Sequence, residues 1–282
     1  MGRFASYDGT QLAWTEAGSG PPLLCLPGGP GRAAEYLEDL GGLTAQRTLI
    51  RLDGRATGRS EVPSDPSSLR FDRLADDVEA LRVHLDIEQV DLLAHSAGTE
   101  VAQVWAAQHP ERVAALVLLT PGGKLQGSRR EDVAAIRSAR SGEPWFLDAA
   151  EASGALADAP PSMQQQLWRA LRPFMYGRWD ERTQEHAATA DRQSSKRAEL
   201  GFSAGAGEID RANILAALSA VSAPVLVVGG ERDGLTGVAS AQVVADCFPN
   251  GRAEVLPRAG HFPWVDEPTA FVALVGSFLD GA

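Results

Sequence analysis

Residues 90–99 read Val90-Asp91-Leu92-Leu93-Ala94-His95-Ser96-Ala97-Gly98-Thr99. An apolar run ends, a serine follows between small residues, and a helical pattern begins at once. A strand that turns directly into a helix forces the intervening residue into a strained backbone conformation. The residues two before and two after it must then be small. Here they are Ala94 and Gly98; the usual residue at the first place is Gly, and Ala adds one methyl group. The helix start also presents backbone N–H groups, that of Ala97 first, where a carbonyl oxygen would turn negative. The stretch predicts Ser96 as a nucleophile. The competing reading is a serine that merely caps a helix.

Outward from this turn, short apolar runs alternate with amphipathic helical stretches, the pattern of a mostly parallel sheet flanked by helices. Expected strands are Thr10–Glu16, Leu23–Leu26, Thr48–Leu52, Val90–Ala94, Val113–Leu119, Val225–Val228 and Ala253–Leu256. Leu74, Val78, Leu81 and Leu85 recur at helical spacing. Further helices are expected at Ala97–Gln108, at Val238–Cys247, and from Asp266-Glu267-Pro268 to about Leu279. Residues 121–221 break the rhythm. They carry no strand pattern but do carry helical stretches such as Gln164–Leu171 and Arg182–Lys196. The expectation is an α/β core of residues 1–120 and 222–282, interrupted by a helical cap, or lid.

A serine hydroxyl needs a base, and the base needs an acid to orient it. Of five histidines, His84 falls on an amphipathic helix, His95 lies inside the turn pointing away from Ser96, His109 ends a helix, and His186 sits in the cap. His261 lies in Arg258-Ala259-Gly260-His261-Phe262-Pro263-Trp264, between the last strand and the last helix, and is the expected base. Asp233 closes the strand-turn Val225-Leu226-Val227-Val228-Gly229-Gly230-Glu231-Arg232-Asp233 and is the expected acid, with Glu231 as the alternative. Ser96, Asp233 and His261 each follow the C-terminal end of a strand, where open α/β sheets place their sites. A second oxyanion donor is expected from Leu26-Pro27-Gly28-Gly29-Pro30-Gly31: the N–H of Gly29, or that of Gly28. The Gly-rich loop Asp53-Gly54-Arg55-Ala56-Thr57-Gly58-Arg59-Ser60 reads as structural support. No phosphate-cradling motif follows a strand, and no metal or cofactor is expected.

The chain has 282 residues, a formal charge of −11 and 44% hydrophobic residues. A surplus of acid repels nucleic acid and anionic membranes, so neither is an expected partner. The cap's acids and bases balance, and the surplus lies in the core as a solubility feature. Cys25 and Cys247 are too few for a disulfide framework. No stretch approaches the ~20 apolar residues that span a bilayer, and Met1-Gly2-Arg3-Phe4 opens no signal peptide. A cytoplasmic protein is expected. Basic residues are almost all Arg, which reads as the coding bias of a GC-rich bacterium.

On these residues the chain resembles the α/β-hydrolases with a helical cap, and among them the prolyl iminopeptidase group of serine peptidases. Gly28-Gly29-Pro30-Gly31, Asp53 with Arg55-Ala56-Thr57-Gly58-Arg59-Ser60, the turn at Ser96, Asp233 and Gly260-His261-Phe262-Pro263-Trp264 carry the resemblance. The chain departs from that group's pattern at Pro27, where the group has His, and at Ala94-His95-Ser96-Ala97-Gly98, where it has GGSWG. The resemblance implies an acyl-enzyme mechanism and an aminopeptidase or amidase acting on a small peptide or aminoacyl amide with a free amino group. It also implies that cap carboxylates hold the substrate ammonium; the matching positions are Asp180, after Trp179, and Glu199. Glu185 and Glu208 are further candidates, and Trp168, Phe174, Tyr176 and Trp179 could supply an apolar wall. An esterase acting on a small uncharged ester, and a ligand receptor without catalysis, are the alternatives.

Overall fold

The computed structural model describes residues 1–128 and 130–282. Eight strands form one sheet: β1 Gly2–Ala5, β2 Gln11–Gly18, β3 Pro22–Leu26, β4 Thr48–Leu52, β5 Val90–His95, β6 Val113–Leu119, β7 Val225–Gly230 and β8 Gly251–Leu256. Their order is β1-β2-β4-β3-β5-β6-β7-β8. The first two pairings, β1 with β2 and β2 with β4, are antiparallel, and every later one is parallel. This is an α/β-hydrolase sheet. The sequence pattern misses β1, a short edge strand in which only Phe4 is buried. One buried side chain leaves no alternation to read.

Parity along each strand builds two cores, because successive side chains point to opposite faces. Leu24, Leu26, Leu92, Ala94, Leu116 and Leu118 face one layer, with α1 (Phe71–His84) and α2 (Gly98–Gln108). Leu23, Cys25, Leu93, Val117 and Leu119 face the other. Strands buried on both faces are near-continuous apolar runs, which is why β5 and β6 stand out in the sequence.

The segment between β6 and β7 contains α3 (Val133–Ser138), α4 (Phe146–Ala155), α5 (Pro161–Leu171), α6 (Glu181–Ala188), α7 (Ala190–Gln193), α8 (Lys196–Phe202) and α9 (Arg211–Ala217). The single helix expected over Arg182–Lys196 is three: α6 and α7 meet at Thr189, and Ser194 and Ser195 turn extended before α8. Ser195 caps α8 by accepting from the Ala198 N–H. The end of the segment joins the core: Leu218 and Val221 are buried in the same cluster as the apolar residues of α2. After β7 come α10 (Ala239–Ala245), a short α11 (Pro263–Asp266) and α12 (Pro268–Asp280). The last helix thus opens at Pro268 rather than Asp266, whose side chain turns inward.

Candidate active site

Ser96 occupies the left-handed region at φ 52, held between β5 and α2. Crowding explains its small neighbours. A Cβ on Gly98 would lie 2.5 Å from the Pro27 carbonyl oxygen, and one on Gly28 would lie 2.8 Å from the Ser96 Cβ. The loop after β3 is thereby packed directly against the serine. Ser96 Oγ is 2.9 Å from His261 Nε2, and His261 Nδ1 is 2.8 Å from Asp233 Oδ2. Asp233 is fully buried and accepts three more bonds, from the Leu235 and Thr236 N–H groups and from Thr236 Oγ1 at 2.6 Å. Burial opposes its ionisation, but His261 and the Thr236 donors outweigh it and hold the carboxyl below its ordinary value. Glu231, the alternative acid, instead accepts from the Arg258 N–H at an exposed turn.

A family model described as alpha/beta hydrolase fold matches residues 21–268. The chain belongs to this family. It is 28% identical to the Bacillus subtilis (strain 168) protein named "Putative 2-succinyl-6-hydroxy-2,4-cyclohexadiene-1-carboxylate synthase", covering 96% of each chain. It is 23% identical to a proline iminopeptidase of Heyndrickxia coagulans, over 94% of this chain and 92% of that one. Among solved structures, an esterase from Exiguobacterium antarcticum superposes with a TM-score of 0.74 at 18% identity, covering 99% and 98% of the two chains.

In this alpha/beta hydrolase the two expected oxyanion donors, the Gly29 and Ala97 N–H groups, have no hydrogen-bond partner among the described residues. The Gly28 N–H, the alternative, is occupied: it donates to the Tyr36 hydroxyl at 2.7 Å. A mostly apolar cavity of about 60 Å³ is lined by Gly28 of this loop, by Gly98, and by Ala198 and Phe202 of α8.

The cap residues are placed differently. Asp180 is the N-cap of α6, accepting from the Thr183 N–H, and it pairs with Arg178 at 2.7 Å. Glu199 pairs with Lys196 at 3.1 Å and does not line the cavity, although its neighbour Ala198 does. Glu185 is exposed, and Glu208 pairs with Arg70 at 3.3 Å. Trp179 packs on Tyr176 with ring centroids 5.5 Å apart. Phe174 is buried among Ala149 and Leu171, while Trp168 is exposed. Each cap acid that the resemblance puts forward as an ammonium ligand thus already has a local partner or faces solvent.

Several partnerships at the site escape the sequence pattern. Glu100, one helical turn past Ser96, is buried; Oε1 accepts from the Lys124 N–H at 3.3 Å and Oε2 has no partner. Burial pushes its carboxyl up to about 7, against the pull of Lys124. Asp266 Oδ2 accepts from the Gly177 and Gly260 N–H groups, tying the cap to the His261 loop, and burial pushes this carboxyl up to about 6. The His261 N–H also donates to Met175 O, at 2.7 Å. His95 does point away from Ser96, but toward Tyr36 and the His261 carbonyl. Only the fold makes these partners; the nearest sequence cue is Glu100, a charged residue on the otherwise uncharged α2. Among the described residues no group of three or more His, Cys, Asp or Glu could hold a metal ion, and no helix is long and apolar enough to cross a membrane.

Proposed function

We propose that this protein is a serine hydrolase working through an acyl-enzyme. The hydrogen-bonded series Ser96–His261–Asp233 carries the reading. His261 Nε2 takes the Ser96 proton as Oγ attacks a carbonyl, and Asp233 steadies the imidazolium through Nδ1. The Gly29 and Ala97 N–H groups receive the oxyanion. His261 then gives its proton to the leaving group, and water, deprotonated by the same ring, releases the acid. The substrate we favour is a small peptide or aminoacyl amide with a free amino group, with release of the N-terminal residue. Similarity to proline iminopeptidases supports it.

The partnered state of Asp180 and Glu199 favours a second reading, a carboxylesterase acting on a small uncharged ester. An ammonium would have to displace Arg178 or Lys196 from those carboxylates. Parallel turnover of proline and alanine p-nitroanilides, their N-acetyl forms and p-nitrophenyl butyrate separates the two. The aminopeptidase cleaves the free anilides and loses activity on acetylation. Turnover of the butyrate alone leaves the esterase.

A further inference from the structure

Tyr36 stands at the centre of a buried hydrogen-bond chain that the reaction steps do not use. The Gly28 N–H lies 2.7 Å from its hydroxyl, the hydroxyl lies 2.6 Å from His95 Nδ1, and His95 Nε2 lies 2.8 Å from the His261 carbonyl oxygen. Tyr36, His95 and His261 are all buried. The two ends decide every proton between them. A peptide N–H can only donate and a carbonyl can only accept. The Tyr36 hydroxyl therefore accepts from Gly28 and donates to Nδ1, and His95 is the tautomer protonated at Nε2. Burial, with His261 beside it, pushes the His95 ring well below its ordinary pKa, so the ring stays neutral and the chain unbroken.

We propose that Tyr36 is a positioning residue for the oxyanion site, acting through Gly28. The Gly28 N–H is held by Tyr36, and the Gly28 carbonyl accepts from the Arg32 N–H at 3.2 Å. That carbonyl and the Gly29 N–H share one rigid peptide plane. With both ends of Gly28 anchored and its Cα against Ser96, the direction of the Gly29 N–H is set. The same chain fixes the His261 carbonyl, so one hydroxyl aligns the oxyanion loop and the base loop on either side of the nucleophile. Tyr36 is in turn held from the cap: its carbonyl oxygen lies 3.0 Å from His186 Nε2, and the Tyr176 hydroxyl lies 2.8 Å from His186 Nδ1. Arg32 stacks on its ring at 4.2 Å.

This inference rests on the serine-hydrolase reading, and the experiment keeps the two apart. Tyr36→Phe deletes one oxygen and keeps the ring. With whichever substrate the wild type turns over, kcat is expected to fall about 10- to 100-fold with KM changed less than about twofold, because the donor is misaligned for the oxyanion while ground-state binding is untouched. The rate of Ser96 labelling by a fluorophosphonate falls in step. A purely structural role would lower the melting temperature and leave kcat of the folded fraction intact, which overturns the proposal. A wild type that reacts with no fluorophosphonate sinks the serine-hydrolase reading and this inference with it; equal labelling of wild type and variant sinks this inference alone. Should Tyr36→Phe not fold, nitrogen-15 NMR of the wild type, with the His95 signal assigned by its loss in His95→Gln, tests the chain directly. Protonation at Nε2 alone from about pH 5 to about pH 8 is expected, and protonation at Nδ1 overturns it.

Discussion

Glu100→Gln tests whether the buried carboxyl beside the nucleophile strains the fold. In the folded protein its pKa is raised from 4.5 to about 7 by burial. The folded state therefore keeps the proton over a range in which the unfolded chain has lost it, so stability falls as pH rises from about 4.5 to about 7. At about 1.4 kcal/mol for each pH unit, the loss is about 3 kcal/mol. Gln cannot ionise and escapes it. The variant carries its own cost, since its amide nitrogen would replace the unpartnered Oε2, but that cost does not depend on pH. Urea unfolding of both proteins at pH 4 and pH 8 isolates the difference. Relative to wild type, the variant should be about 3 kcal/mol better at pH 8 than at pH 4. An equal difference at both pH values, or a larger gain at pH 4, would refute the reasoning.

Asp233→Asn removes the charge that steadies the His261 ring, and kcat should fall on the order of 10⁴-fold in steady-state assays with little change in KM. Gly28→Ala places a methyl 2.5 Å from the His95 carbonyl oxygen and 2.8 Å from the Ser96 Cβ. The oxyanion loop must move, so turnover should drop at least about 100-fold, and wild-type rates in the variant would contradict the close packing. Arg55 is buried and bridges Asp77 at 2.7 and 2.8 Å and Asp8 at 2.5 Å. Arg55→Lys cannot span both acids and should lose about 3 kcal/mol of stability by urea unfolding at pH 7. Arg55 also helps hold Asp8 at about 2 against an ordinary 3.8. The part that comes through Asp8 is present above about pH 4, so the wild-type advantage should shrink as pH falls from there toward 2.

The sheet was legible wherever burial on both faces leaves an apolar run, and the boundaries of β4 and β6 fall where the pattern puts them. Ser96, Asp233 and His261 were legible because each follows a strand, and a parallel sheet brings strand ends to one edge. The cap was legible as helices but not in its partners. Asp180 matches a ligand position of the prolyl iminopeptidase group because it follows a tryptophan; in the fold its carboxylate closes the first turn of α6. The hydrogen bonds that join Tyr36 to His95 and to His186 left no trace in the sequence pattern, since Tyr36 and His186 are 150 positions apart and meet only through the docking of cap on core. The charge of −11 says nothing about the site either: an unpartnered carboxyl oxygen one helical turn past the nucleophile, on Glu100, is buried, out of reach of any argument from net charge.

The central claim is that Ser96 is the nucleophile. Intact-protein mass spectrometry after fluorophosphonate treatment, with peptide mapping, tests it most directly. The account predicts one adduct per chain, on Ser96, formed in step with loss of turnover and absent from Ser96→Ala, whose own rate is lower on the order of 10³-fold or more. Wild-type turnover in Ser96→Ala, or an adduct on another residue with Ser96 unmodified, would contradict it.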